Sequence, residues 1–321
     1  MRWKRTEIST SSGVHTAVAP EVISASRSTD IPAFYSDWFM RRLEEGYSRW
    51  VNPFNGKSQF VSFERMRAIV FWSKNPKPLM KHLKKLDQVG VAYYFQFTVN
   101  DYVADHGGAL EPNVPPLESR IQSFQELSNR LGKHRVIWRF DPLILTEELN
   151  VERLLEKVKR VGDQLHPYTE KLVFSYMDAY GKVRNNLKAK GVKWLDFTPF
   201  LMRETASGLV RLNQQWGLKL ATCAEPLDLQ QPSIEPNKCI DDELLLRISN
   251  NDPALLKLFG TPAGLKDSGQ RRICGCAASK DIGQYNTCPH LCSYCYANTK
   301  EGIVLGNRRR LQAGSDSIVP V

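Results

Sequence analysis

Apolar residues in this chain come in short unbroken runs separated by longer stretches of helical period. The runs lie at residues 22–27, 68–72, 91–99, 135–142, 171–178 and 218–222, and each is rich in branched or aromatic side chains. Runs so short and so continuously apolar predict strands of a parallel sheet, buried on both faces. Between them, apolar positions recur every three or four residues. Examples are Trp38, Phe39 and Leu43, then Leu79, Leu83 and Leu86, then Ile121, Phe124, Leu127 and Leu131, then Val151, Leu154, Val158 and Val161. That spacing turns one side of a helix toward a core. Punctuation agrees: Asp30 stands before Ile31-Pro32 as an N-cap, Thr198-Pro199 opens a helix, and Gly132 and Gly217 close helices. A hairpin is predicted from 47–51 to 59–63, turning at Asn55-Gly56.

Six strand–helix units predict an α/β fold. Right-handed crossovers wind such units into a (β/α)6-type, TIM-like barrel, complete, partial or permuted. The barrel is expected over residues 21–230, after a loose lead-in at 1–20. A cysteine-rich segment at 231–321 follows without a clear linker and is expected to pack at the mouth, with residues 278–283 as a short strand.

Each predicted strand ends in polar groups: Arg27 and Asp30, Lys74 and Asn75, Asn100 and Asp101, Arg139 and Asp141, Tyr176 and Asp178, Cys223 and Glu225. In (β/α) barrels this end carries the chemistry. One such residue is explained by capping or backbone bonding, as Asp30 is. Six sets converging on one mouth are costly to bury without a ligand. Arg27, Lys74, Arg139, Asp141, Asp178 and Glu225 are therefore the candidate catalytic or substrate-positioning residues. Arg139 and Asp141 come first, because an Arg–carboxylate pair suits a polar substrate.

Composition narrows the setting. The chain has 321 residues, 42% hydrophobic and 24% charged, with no apolar run of membrane-span length. The basic start Met1-Arg-Trp-Lys-Arg5 lacks the apolar core of a signal peptide, so a cytoplasmic protein is expected. A formal charge of +10, with Arg308-Arg309-Arg310 near the end, admits an anionic partner such as nucleic acid.

In a reducing compartment the seven cysteines read as metal ligands or free thiols rather than disulfides. Cys288, Cys292 and Cys295 are spaced C-x3-C-x2-C, with Tyr294 before the last. Three thiolates on one loop suit three irons of a [4Fe–4S] cluster and leave the fourth iron for a small molecule. A structural zinc site completed by His290 or a further cysteine is the alternative. Cys223, Cys239, Cys274 and Cys276 remain. Four is the number that closes a second cluster or a zinc site; buried inert thiols are the plainer reading.

The three-cysteine spacing and its aromatic residue resemble the signature of radical S-adenosylmethionine (SAM) enzymes. That resemblance implies a [4Fe–4S] cluster on Cys288, Cys292 and Cys295, beside Tyr294, with SAM chelating the open iron. A reductant such as a flavodoxin or ferredoxin would supply the electron that cleaves SAM to a 5′-deoxyadenosyl radical, which then acts on an unidentified polar or anionic substrate. Over nearly the full length, the stretches SASRSTDIPAFY, NPFN, FWSKNP, YYFQFTVNDY, EPNVPP, VIWRFDP, CAEP and DIGQYNTCPHLCSYCYAN resemble an uncharacterised bacterial domain-of-unknown-function family with similar C-terminal cysteines. The family implies no reaction.

The chain departs from ordinary radical SAM enzymes in two ways. Its cysteine loop follows all six strands instead of the first, so either the barrel is permuted or the loop folds back over the mouth. It also lacks the Gly-Gly-Glu triplet that usually holds the SAM amino group. A zinc- or cluster-stabilised nucleic-acid-binding or repair protein is the competing reading. A barrel hydrolase is a third, without a paired-His motif or G-x-S-x-G elbow to support it.

Overall fold

All six apolar runs become strands of one parallel sheet, and two further short strands join it. In the computed structural model, which describes residues 3–223, 225 and 231–319, the strands are β1 (Val22–Ala25), β2 (Ala68–Ser73), β3 (Ala92–Thr98), β4 (Val136–Leu143), β5 (Lys171–Tyr176), β6 (Lys219–Thr222), β7 (Ile234–Pro236) and β8 (Lys280–Asp281). Ala224 and Pro226 of the sixth strand end lie outside the described residues. Across the sheet the order is β7-β6-β5-β4-β3-β2-β1-β8, with every neighbouring pair parallel. The last strand of this sheet in chain order thus lies beside its first, Lys280 opposite Ile23 and Asp281 opposite Ser24.

Side chains alternate across a strand, and here the alternation sorts two apolar clusters. Ile69, Phe71, Phe95, Phe97, Trp138 and Phe174 face one way. They meet α1 (Ser36–Glu45), α2 (Leu83–Val89), α3 (Leu117–Leu131), α4 (Val151–Leu165) and α6 (Pro199–Trp216) through residues such as Phe39, Leu86, Phe124, Val158 and Leu209. Between α4 and α6 runs α5 (Gly181–Ala189). Mostly smaller residues face the other way: Val22, Ala68, Val70, Ala92, Val173 and Ala221. These are covered by α7 (Asp242–Ile248), α8 (Pro253–Phe259) and the chain around Cys239 and Cys276. A final helix, α9 (Glu301–Arg310), follows the cysteine loop.

The expected loose lead-in is instead ordered. Arg5–Thr10 pairs antiparallel with Gly13–Val18, and the second of these lies parallel to Ser58–Ser62 of the predicted hairpin, whose other arm is Tyr47–Val51. Exposure alternates along Arg5–Thr10 between exposed and half-buried positions, so few apolar residues were needed there. The expected division at residue 230 also changes, since β7 and β8 come from the C-terminal segment and complete the sheet. β8 falls inside the strand expected over 278–283, whereas β7, three residues long, is too short to leave a periodic signal. Among the described residues, no helix is long and apolar enough to cross a membrane.

Candidate functional site at the strand ends

The cysteine loop leaves β8 through Gly283. A Cβ there would stand 1.9 Å from Ser26 Oγ, so only glycine lets the chain pass the end of β1 so closely. Asp281 holds the two strand ends together. Its carboxylate accepts from Ser24 Oγ (2.6 Å), Arg27 N (2.7 Å) and Ser28 Oγ (3.0 Å). Beyond this point the loop is fixed by side chains from distant parts of the chain. Tyr35 Oη donates to Thr287 O at 2.5 Å, Asn113 Nδ2 to Pro289 O at 2.8 Å, and Asn298 Nδ2 to Cys288 O at 2.8 Å.

Two side chains inside the motif are held most firmly. Tyr294 is buried; its hydroxyl accepts from Lys74 Nζ (2.8 Å) and Asn100 Nδ2 (3.2 Å) and donates to Glu111. Glu111 is 0% exposed and also takes Lys74 at 2.8 Å and Arg120 at 3.8 Å. Burial alone would raise its carboxyl, but the Lys74 and Arg120 charges outweigh burial and lower it to about 2. His290 lies with Nε2 3.0 Å from Asp30 Oδ2 and Nδ1 3.1 Å from Asn113 O. With both nitrogens occupied, His290 is not the zinc ligand that its position in the sequence allowed. Asp30 does more than cap a helix turn. Besides Ala33 N (2.9 Å) it accepts from Ser73 Oγ (2.7 Å) and Lys74 N (2.8 Å).

Cys292 is buried, and Cys288 and Cys295 are half-buried. Burial pushes all three thiols up, Cys292 to about 12. A bound cationic centre is what would hold them as thiolates. Among the described residues, no three His, Cys, Asp or Glu side chains are already arranged around a single ion. A cluster makes a different demand, because each thiolate binds its own iron. Three cysteines, with His290 engaged elsewhere, fit a cluster whose fourth iron has no protein ligand.

The other four cysteines meet on the opposite, small-residue face of the sheet. Cys223 and Cys239 touch, sulfur to sulfur, at 3.4 Å. Cys276 Sγ accepts from Cys239 N at 3.3 Å. Hydrogen bonding to Cys276 lowers the Cys274 thiol to about 7.

A continuous hydrogen-bonded path joins the two cysteine groups. From Tyr294 it runs to Asn100, whose amide brackets the Asp141 backbone (2.9 Å from its N, 3.2 Å to its O). Asp141 Oδ2 then accepts from Arg139 Nη2 at 2.6 Å, and Arg139 Nη1 donates to Cys239 Sγ at 3.1 Å. Asp141 also accepts from Ser175 Oγ. Burial opposes ionisation of Asp141, but the Arg139 charge and these bonds keep its carboxyl below the usual range.

Of the predicted strand-end residues, Lys74 sits against the loop and Arg139 and Asp141 lie between the two cysteine groups. Arg27 stacks on Trp72 (5.3 Å to the ring centre) and pairs with Asp267 at 3.3 Å. Glu225 accepts from Tyr176 N at 3.2 Å. Burial, and then the charges of Asp178 and Asp141, raise its carboxyl to about 7. Asp178 is at the margin, paired with Arg271 at 2.9 Å and about half exposed. Asp101 is not at the mouth, since it pairs with Arg160 of α4. Two surface cavities of about 480 and 420 Å³ lie elsewhere, one beside His106 and Arg153 and one beside Trp38 and Leu311. Sequence reasoning missed Glu111, Arg120 and Gln96, whose amide accepts from Arg139 Nη1 at 3.2 Å and donates to Cys239 O at 2.9 Å. Glu111 stands in the EPNVPP stretch, but nothing local marks it as the partner of Lys74.

A large parallel sheet with helices packed on it, and a three-cysteine loop seated on its strand ends, define a parallel-sheet α/β protein with a candidate cluster loop. More specifically, the chain belongs to the family of domain of unknown function DUF1848, whose model matches residues 22–297. No curated protein matches it. Among solved structures, a Bacteroides thetaiotaomicron protein provisionally described as an alpha-L-fucosidase is similar at 10% identity, over 65% of this chain and 80% of that one, with a TM-score of 0.25.

Proposed function

We propose that this protein is a radical SAM-type iron–sulfur enzyme acting on a polar or anionic substrate, built on a circularly permuted, barrel-like sheet. The observation that carries this reading is the position of β8. Taken from β8, the strands run β8-β1-β2-β3-β4-β5-β6-β7 across the sheet. The cysteine loop therefore follows the first strand of a sequentially ordered parallel sheet, as in the enzymes its spacing resembles. The late position of the motif in the chain is then a matter of connectivity, and its position in space is the ordinary one.

Cys288, Cys292 and Cys295 would hold the cluster. Once reduced by an external donor such as a flavodoxin or ferredoxin, a cluster held there would supply one-electron reduction of bound SAM. The chain's own residues do the rest. Tyr294 and His290 lock the loop against Lys74, Glu111 and Asp30, so the ligands are positioned before anything binds. Arg139 and Asp141 offer a fixed charged pair to a polar substrate. Glu225, with its carboxyl near 7, holds or releases a proton at neutral pH.

The test is anaerobic purification, or reconstitution with iron and sulfide, followed by reduction in the presence of SAM. Iron and sulfide in a cluster ratio, with 5′-deoxyadenosine as product, are expected. A loop that binds zinc and no iron, or a reduced cluster that leaves SAM intact, would overturn the proposal.

A further inference from the structure

We propose that Cys223, Cys239, Cys274 and Cys276 together bind one zinc ion, which clasps the two edges of the sheet. The inference rests on no property of the Cys288–Cys295 loop. Three separate points of the chain deliver the four sulfurs: Cys223 follows β6, Cys239 follows β7, and Cys274 and Cys276 share one turn before β8. Strands β7 and β8 are the two ends of the sheet order and are not hydrogen-bonded to each other. The cysteines meet where the chain crosses between those ends. Ala277 N donates to Ile240 O at 3.0 Å, and Cys239 N donates to Cys276 Sγ at 3.3 Å.

Distance selects the kind of centre. Four thiolates about 2.3 Å from one zinc ion form a tetrahedron with edges of ~3.8 Å. Cys223 and Cys239 are already 3.4 Å apart, within half an ångström of that edge. Ligands of a [4Fe–4S] cluster sit on separate irons and must stand further apart. As they stand, Cys223 and Cys239 touch through sulfur, Cys276 Sγ sits on the Cys239 backbone N–H, and Cys274 lies two residues before Cys276 on the same turn. Closing the four around an ion needs movement of the Cys274-Gly275-Cys276 turn, where glycine keeps the backbone free, and leaves the strands in place.

The surroundings suit metal-bound sulfur. Cys239 Sγ accepts from Arg139 Nη1 and Asn237 Nδ2, both at 3.1 Å. N–H groups aimed at sulfur are the outer contacts that stabilise a metal thiolate. Inert buried thiols need neither such donors nor convergence from three segments.

The test uses the full chain carrying Cys288→Ala, Cys292→Ala and Cys295→Ala, so that iron on the loop cannot confuse the count. One zinc per chain is expected after dialysis, falling to background on adding Cys239→Ser. Cobalt(II) in place of zinc should give intense thiolate-to-metal absorption that the Cys239→Ser chain lacks. If that variant does not fold, a mercurial thiol reagent added to the loop variant should release one zinc, read with a metallochromic dye. A folded loop variant that holds no zinc, or that holds iron and sulfide instead, would overturn the assignment. Neither result bears on whether the loop cleaves SAM.

Discussion

The two cysteine groups are held in opposite ways. Cys288, Cys292 and Cys295 are neighbours in sequence, yet their loop is fixed by remote polar side chains: Asp30, Lys74, Glu111 and Asn113. Cys223, Cys239 and the Cys274–Cys276 turn come from three separate segments, yet they gather in one apolar cluster, where Cys223 touches Cys239. Proximity in sequence gives the loop its ligand spacing and nothing to hold it. Proximity in space gives the quartet its contacts without any spacing signal. A loop of the first kind stays open to a ligand, whereas a group of the second kind is suited to a closed, structural role.

If that contrast is right, the groups respond separately. The largest effect is expected from Cys292→Ala, which should abolish 5′-deoxyadenosine formation while leaving zinc at one per chain. Loss of both metals together would break the comparison. Next comes Glu111→Ala, which leaves Lys74 and Arg120 buried without their carboxylate. Breaking a buried pair in this way costs about 3–5 kcal/mol. Urea denaturation should register it, and iron retention should fall while zinc retention does not.

Tyr294→Phe removes a hydroxyl with three partners and should cost about 1–3 kcal/mol. Its iron–sulfur spectrum should survive, because the three thiols remain. Smaller again is the effect of Glu225. Its folded-state pKa is raised, so folding favours the neutral form. That contribution is fully present below the ordinary carboxylate range and is lost as pH rises through about 7. Glu225→Gln should flatten the stability profile between those limits, and an unchanged profile would remove Glu225 from the mouth. The smallest change is expected from Arg271→Ala. Its bond to Asp178 is half-exposed, and such pairs are worth less than about 1 kcal/mol.

Much of this was legible in the chain. Six strands declared themselves because a strand covered on both faces must be continuously apolar, and the loop declared itself by its spacing. The rest depended on contacts that no local pattern encodes. His290 and Asp30 are 260 residues apart, and Lys74 and Glu111 are 37 apart. The quartet could be counted in the sequence, but its convergence required β7, too short to announce itself, and the pairing of the expected strand β8 with β1, which no local pattern encodes. Arg5–Thr10 was missed because a hairpin half open to solvent needs few apolar residues.

The pairing of β8 with β1 also bears on how the protein is made. Ser24 and Asp281, bonded across that pair, are 257 residues apart. On the ribosome, the other seven strands emerge before the cysteine loop exists. Asp30, Lys74, Glu111 and Asn113 are by then already synthesised and free to fold. The loop is therefore delivered to a surface that waits for it.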